Sequence, residues 1–245
     1  MLISPTNRPT VLLTGFGPFP SVGANATSIL VPPLAEAARA AFPGVRIESC
    51  ILPTEWAASL NLLEALLDDT SPAVALHFGV SGRATGFEIE TRGRNACSLS
   101  EDAAGLLPID SCISAEGPDF LPATIPASHI VTQLRRRGLP AQISRDAGGY
   151  LCNALLYRSL ELARRHGRPQ RTGFVHLPAT LVSERRPERE PRALVRLDWS
   201  GVIEGGLEII RSTLGRPHAP APESRRRQPL GTATSGRRGM ATHAS

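Results

Sequence analysis

Two residues of this sequence are well placed for nucleophilic catalysis, one cysteine and one histidine. Cys152 follows the glycine-rich turn Ala147-Gly148-Gly149 and stands at the start of a predicted helix. A helix N-terminus offers unpaired N–H groups and a partial positive charge, which favour the nucleophilic thiolate over the thiol. His176 ends the apolar run that begins at Gly173, where its imidazole can serve the sulfur as a base. This pair predicts covalent catalysis, with a buried helix cysteine as the alternative for Cys152.

A Cys-His pair requires a third group that orients the imidazole, and two carboxylates are candidates. Glu88 and Glu90 lie in a short strand-like run that ends at Arg92. Side chains alternate along a strand, so both carboxylates point to the same face and the periodicity does not choose between them. His77 lies inside an apolar run, and we interpret it as a core or pocket-wall residue.

The remaining chemistry of the chain is limited by what its composition excludes. All 27 basic residues are arginine, and without lysine the chain has no Schiff base, no P-loop lysine and no Ser-Lys dyad. The four cysteines include no Cys-x-x-Cys pair, so no zinc site is predicted. We therefore expect no metal and no cofactor.

The elements that position these residues alternate between strands and helices. Apolar runs predict strands, and helical apolar spacing predicts helices between them. This alternation predicts an α/β fold: a single three-layer domain with a mostly parallel twisted sheet flanked by helices. The predicted strands cover residues 10–14, 45–52, 73–78, 141–144 and 173–176, and the predicted helices cover 29–42, 55–67, 128–137, 150–165 and 201–214.

Parallel sheets place their sites at the carboxyl ends of the strands. Four segments follow predicted strands and contain the candidate residues, and we expect all four to lie along one edge of the sheet. They are residues 15–19, 79–95, 145–152 and 176–178.

The positive charge of the chain is concentrated at its end. Residues 215–245 carry a net charge of +5, whereas residues 1–214 are neutral overall. The end segment has few large apolar residues, so we predict a disordered basic tail there and expect no specific nucleic-acid binding. The predicted organisation is an N-terminal extension over residues 1–9, an α/β domain over 10–214 and the tail over 215–245.

Nothing in the sequence indicates a membrane or secreted protein. The apolar runs are far shorter than the roughly 18 residues of a spanning helix. The first residues lack the pattern of a secretory signal. We therefore predict a cytoplasmic protein without a membrane partner. A homo-oligomer is compatible with the sequence.

Five segments resemble, in order and spacing, the pyroglutamyl peptidase (pyrrolidone carboxyl peptidase) family of cysteine peptidases. The resemblance extends over roughly residues 10–214. It implies a cysteine exopeptidase that removes an N-terminal pyroglutamyl (5-oxoprolyl) residue from peptides through a thioester. The segments are Thr14 to Phe19, Leu52 to Thr54, His77 to Gly82, Asp146 to Asn153 and Phe174 to Pro178.

The resemblance also implies roles for particular residues. The catalytic Glu of the family stands five residues before an Asn, which selects Glu90 before Asn95 as the partner of Cys152 and His176. Val80 stands where some bacterial members have Gln, so one contact to the lactam of the substrate is left open. The implied substrate-binding residues are Phe16, Phe19, Asn25, Thr54, Tyr150 and Leu151.

Two alternatives remain open at this point. One is an enzyme similar to the nucleoside phosphorylases, although the chain has no GxGxxG run after a strand. The other is a non-catalytic binding protein of the same α/β fold, whose arginine-rich tail binds nucleic acid or another anion.

Overall fold

The computed structural model describes residues 8–18, 25–182 and 197–215. The proposed tail after Gly215 and most of the proposed extension, residues 1–7, lie outside the described residues. The strands are β1 (Thr10–Phe16), β2 (Arg46–Leu52), β3 (Val74–Ser81), β4 (Phe87–Glu90), β5 (Arg92–Arg94), β6 (Phe120–Pro122), β7 (Ala141–Ser144) and β8 (Arg171–Pro178). The helices are α1 (Ala26–Ala41), α2 (Trp56–Thr70), α3 (Ala127–Arg136), α4 (Leu151–His166) and α5 (Trp199–Leu214), with a 3-10 turn at Ala179–Val182.

A six-stranded sheet forms the centre of the molecule, with the strand order β2-β1-β3-β8-β4-β7. All neighbouring strands of this sheet are parallel except β4 and β8, which are antiparallel. Strands β5 and β6 form a separate antiparallel pair. The predicted mostly parallel α/β fold is confirmed.

Two hydrophobic cores cover the two faces of the sheet and give the predicted three layers. Because neighbouring side chains of a strand point to opposite faces, Val11 and Leu13 pack in one core and Leu12 packs in the other. Helices α1, α3 and α5 contribute to the first core, and α2 and α4 contribute to the second. The helix α4 that begins beside Cys152 therefore lies on the same face as α2.

The predicted elements agree with the structure to within a few residues at most ends. All five predicted strands and all five predicted helices are present. The sequence reasoning missed β5 and β6 as separate strands and gave β4 as a strand-like run within the long loop after β3. Strands β5 and β6 have three residues each, too few to establish a periodicity.

One premise about the site is wrong. We expected residues 145–152 to lie along the same sheet edge as the segments that follow β1, β3 and β8, and several of them do line one cavity with Val80 and His176, but β7 does not lead directly to that edge. Strand β7 is parallel to β4, which runs antiparallel to β8, so β7 runs against the other three strands. Its last residue, Ser144, pairs with Glu90, which in turn pairs with Phe174 inside β8. The chain must reverse after Ser144 before α4 can begin.

None of the helices in the described ranges is both long enough and apolar enough to span a membrane. The cytoplasmic location stays a prediction.

Candidate active site

A row of residues across the sheet forms the base of the candidate site. Gly79 of β3 pairs with His176 of β8, and His176 pairs with Glu88 of β4. Glu88 in turn pairs with Gln142 of β7. Side chains at the same level on neighbouring strands share a face. The strand register alone therefore brings together residues from four distant parts of the sequence.

The imidazole of His176 is bound to one of the two candidate carboxylates. Its Nδ1 lies 2.8 Å from Oε1 of Glu90, and both side chains are buried. Glu88 is partly exposed, and its Oε1 accepts a hydrogen bond from Nε2 of Gln142 at 2.7 Å. The sequence periodicity left this choice open, whereas the distances make Glu90 the carboxylate that can orient the ring.

The sulfur of Cys152 lies against the backbone of β3, next to His176. A Cβ added to Gly79 would lie 2.8 Å from Sγ of Cys152 and 2.7 Å from Cζ of Phe174. These spacings are too short for a side chain, so only glycine admits the sulfur here. The sulfur is hydrogen-bonded to the ring of His176. Because Nδ1 of that ring faces Glu90, Nε2 is the nitrogen available to the sulfur.

The two neighbours of His176 determine its charge. Burial lowers the pKa of an imidazole, but the negative sulfur of Cys152 and the carboxylate of Glu90 outweigh this effect. Together they raise the pKa of His176 from 6.5 to about 10. The arrangement therefore favours the imidazolium form of His176 near neutral pH.

His77 lies on the same face of the sheet, but its pKa is shifted in the opposite direction. Its Nδ1 lies 2.7 Å from the hydroxyl of Thr14, and its Nε2 lies 3.0 Å from the hydroxyl of Ser159. Burial without a charged partner lowers its pKa to about 3. The interpretation of His77 as a core residue is confirmed.

The turn before α4 returns the chain from β7 to the site. Gly148 has a φ of +83°, a conformation that residues with a side chain rarely adopt. The carbonyl of Gly149 accepts hydrogen bonds from the N–H and the hydroxyl of Ser98, at 2.6 Å and 2.9 Å. These contacts fix the point at which α4 begins.

Asn153, the residue after the candidate nucleophile, ties the helix to the end of β5 and the residues after it. Its Oδ1 accepts a hydrogen bond from the N–H of Arg94 at 2.8 Å. Its Nδ2 donates to the carbonyls of Arg94 and Ala96. Sequence reasoning missed Asn153 and Gly79, since nothing local indicated their distant partners. The glycine inside the apolar run of β3 was the one signal available.

The side chain before the helix leaves the first turn of α4 open to a ligand. Tyr150 is the N-cap residue, and its side chain makes no capping hydrogen bond. The first N–H groups of a helix have no partner within the helix, so those near Cys152 can donate to an anion. Cys152 is therefore next to a source of positive potential.

A cavity of about 510 Å³ opens over this row of residues. Its size is within the range of small-ligand sites, and it contains both Cys152 and His176. The other lining residues are Val80, Ser81, Arg83, Glu88, Gln142, Ser144, Asp146, Ala147, Gly148, Gly149 and Tyr150.

Three of the predicted binding residues are apolar or aromatic and lie on the α4 face of the sheet, but only one of these described residues lines the cavity. Tyr150 lines the cavity. Phe16 is buried, with its ring centroid 6.5 Å from that of Phe174. Leu151 is buried in the core on the α4 face. Phe19 lies outside the described residues.

The two predicted polar binding residues both support the loop after β1. Nδ2 of Asn25 donates to the carbonyl of Gly17 at 3.1 Å, and Oγ1 of Thr54 donates to the same carbonyl at 2.9 Å. Asn25 also caps α1 through Thr27. Neither side chain lines the cavity, so their role in binding stays a prediction.

Three side chains of the site have the chemistry of metal ligands. Atoms of Glu88, Glu90 and His176 lie within 4.8 Å of one another. Glu90 and His176 are already hydrogen-bonded to each other, and the second nitrogen of His176 faces Cys152. A metal ion would have to displace these contacts, so we assign no metal here.

The sequence model of one known family matches most of the chain. It is described as pyroglutamyl peptidase and matches residues 9–185. The chain belongs to the pyroglutamyl peptidase family. The resemblance inferred from the five segments is thereby confirmed.

Relatives and solved structures of this family agree with the assignment. The chain is 38% identical over 174 residues to the pyrrolidone-carboxylate peptidase of Chromobacterium violaceum, covering 69% of this chain and 77% of that protein. It is 36% identical over 212 residues to the one of Cupriavidus pinatubonensis, covering 84% and 93%. A mutant pyrrolidone carboxyl peptidase from Pyrococcus furiosus superimposes with a TM-score of 0.74 at 26% identity, covering 84% and 98%. These findings favour a cysteine peptidase over the phosphorylase-like and non-catalytic alternatives.

The charge state of His176 can be tested by nitrogen-15 NMR of the imidazole rings. We expect His176 to titrate near pH 10 in the wild type and at lower pH in Cys152→Ala, which lacks the negative sulfur. The raised pKa of His176 also means that its protonation stabilises the folded protein. This contribution to the free energy of unfolding is fully present below about pH 6.5 and is lost as the pH rises through about 10. His77 is the internal control and should stay neutral above pH 5. A wild-type His176 that titrates near 6.5 would contradict the ion pair.

The contact between Cys152 and Gly79 can be tested by substituting the glycine. In Gly79→Ala the new methyl group takes the place of the sulfur, which must move away from the imidazolium. Since iodoacetamide reacts with the thiolate, we expect alkylation of Cys152 at neutral pH to slow at least tenfold, as measured by mass spectrometry. Gly82→Ala is the matched control, since its Cβ would have no neighbour within 4 Å. Equal alkylation rates in the two variants would show that the glycine is not required.

Proposed function

We propose that this chain is a cysteine exopeptidase that hydrolyses the bond after an N-terminal pyroglutamyl residue of a peptide. Cys152 is the nucleophile, His176 the acid and base, and Glu90 the group that orients the imidazole. The observation that supports this proposal most strongly is the continuous contact from the sulfur through the ring to the buried carboxylate. The names of the relatives identify the same class of substrate.

The first half of the reaction forms a thioester. The thiolate of Cys152 attacks the pyroglutamyl carbonyl carbon, and the electrons of the double bond move to the oxygen. As the tetrahedral intermediate collapses, Nε2 of His176 gives its proton to the leaving amine, and the C–N bond breaks. Glu90 keeps Nδ1 protonated and directed away from the sulfur.

The second half hydrolyses the thioester. His176 is now neutral at Nε2 and takes a proton from a water molecule, which attacks the acyl carbon. The pyroglutamate leaves with the new oxygen, and the sulfur returns to the thiolate beside the imidazolium. The carboxylate of Glu90 stabilises the positive charge that His176 gains in this step.

The intermediates carry a negative oxygen that needs hydrogen-bond donors. The N–H groups of the first turn of α4, including that of Cys152, are one source because the N-cap side chain does not occupy them. The loop at Gly82 and Arg83 is the second source, and Arg83 lines the cavity.

The substrate offers a lactam ring in place of a charged amino terminus. We propose that Phe16 and Phe19 flank this ring and that Tyr150 and Leu151 complete the pocket, with Asn25 and Thr54 as polar residues nearby. Phe16 is suited to this role by its position at the end of β1, beside the aromatic ring of Phe174. No cofactor is required.

Substitution of the three catalytic residues tests the mechanism. We expect Cys152→Ser and His176→Ala to lower kcat/KM for a fluorogenic pyroglutamyl amide by at least a thousandfold, and Glu90→Gln by about a hundredfold or more. Glu90→Gln should also move the alkaline limb of the pH profile to lower pH, because the carboxylate raises the pKa of His176.

Cys112→Ser is the matched control for the cysteine substitution, since Cys112 is exposed and lies outside the cavity. Its activity should equal that of the wild type. Undiminished turnover in Cys152→Ser would rule out the thioester mechanism.

The lactam oxygen tests the proposed specificity. A pocket that hydrogen-bonds this oxygen should reject an N-terminal proline, which has the same ring without the oxygen. We expect kcat/KM for a prolyl amide to be lower than for the matching pyroglutamyl amide by about 10⁴. Similar values for the two substrates would remove the specificity claim while leaving the nucleophile intact.

A further inference from the structure

The strand order gives the substrate site a direction. Thr14 of β1 pairs with His77 of β3. Two residues further along both strands, Phe16 lies beside Gly79. Phe16 therefore extends the row that contains Gly79, His176 and Glu88. Across the sheet, the order is therefore an aromatic ring on β1, the sulfur of the nucleophile over β3, the imidazole on β8 and a carboxylate on β4.

The chemistry of the reaction assigns the two ends of this row. The general acid must reach the nitrogen of the leaving amine, so the leaving group lies on the imidazole side of the sulfur. The acyl group then lies on the other side, towards Phe16. The residue that follows pyroglutamate must extend beyond His176, and the next side chains in that direction are Glu88 and Gln142.

Glu88 is available to that residue of the substrate. Its carboxylate lies within 4.8 Å of ligand atoms of His176 and Glu90, and the side chain lines the cavity. It is partly exposed, and its Oε1 is held by Gln142 at 2.7 Å. This hydrogen bond fixes the carboxylate at the floor of the cavity, and Oε2 accepts no hydrogen bond from the described residues, which leaves it for a ligand.

Glu88 contributes the unbalanced charge of the described cavity lining. Within the described ranges, and outside the proposed catalytic residues, the charged residues of this lining are Arg83, Glu88 and Asp146. Arg83 and Asp146 carry opposite charges, so the net charge of these three is that of Glu88. A partly buried carboxylate attracts a nearby cation more strongly than a fully exposed carboxylate does, because less water screens its charge.

We propose that Glu88 determines specificity for the residue after pyroglutamate and favours a cationic side chain, arginine or lysine, over an acidic one. This inference rests on the proposed function. A cationic side chain that extends over β4 meets Oε2 of Glu88, whereas an acidic side chain meets a like charge. We expect the difference in kcat/KM to be about tenfold at low salt and to shrink as salt screens it.

Three peptide substrates test the proposal: pyroglutamyl-arginine amide, pyroglutamyl-glutamate amide and the neutral pyroglutamyl-alanine amide. The measured quantity is the ratio of kcat/KM for the arginine and glutamate substrates within one enzyme variant. Any effect of Glu88 on the catalytic residues cancels in this ratio. We expect about ten in the wild type and about one in Glu88→Gln. Glu36→Gln, which removes a carboxylate from α1 on the other side of the sheet, should keep the wild-type ratio.

Each outcome of this experiment decides the proposal. A wild-type ratio near one, or equal ratios in the wild type and Glu88→Gln, would overturn it. A second measurement needs no variant, since raising the salt concentration must lower the wild-type ratio. If the wild type cleaves the alanine substrate without a charge preference, the inference fails and the proposed function stands. If it cleaves none of the three, the proposed function fails as well.

Discussion

The close approach of the Cys152 sulfur to the backbone of Gly79 is the constraint on which the site depends. The sheet register places Gly79 beside His176, and the sulfur takes the space that a Cβ of residue 79 would need. One missing side chain therefore brings the start of α4 within hydrogen-bond distance of the imidazole. Gly148 and Asn153 set where α4 begins, but the contact at Gly79 sets how near to the sheet it lies.

This contact also explains how two histidines on one face of the sheet acquire opposite charges. His77 has only hydroxyl partners, and burial keeps it neutral. His176 is also buried but lies between a sulfur and a carboxylate, which reverse the effect of burial on its pKa. The carboxylate of Glu90 is buried, and its Oε2 has no hydrogen-bond partner among the described residues. A buried charge of this kind is tolerated because an imidazolium is next to it.

The sequence was sufficient for the elements and for the two reactive residues, because these depend on local patterns. Apolar runs and helical spacing predict five of the eight described strands and the helices, and the glycine-rich turn before Cys152 marks a helix start. The lateral contacts were not predictable in this way. Gly79 makes room for the sulfur of Cys152, and Asn153 accepts a hydrogen bond from the backbone of Arg94. No local sequence pattern indicates such contacts between distant residues. Period-two alternation alone could not choose between Glu88 and Glu90, and the choice came from resemblance to a family.

The direction of β4 separates the roles of these two carboxylates. Both face α4, and they are two residues apart on one strand. Because β4 runs against β8, Glu88 pairs with His176, whereas Glu90 pairs with Phe174, farther from the carboxyl end of β8. Glu90 is thereby buried beneath the imidazole, and Glu88 remains at the cavity. In a parallel β4 the order would be reversed, and the carboxylate now beneath the ring would face the substrate. The one antiparallel junction of the sheet thus determines which carboxylate can orient the base and which can meet the leaving group.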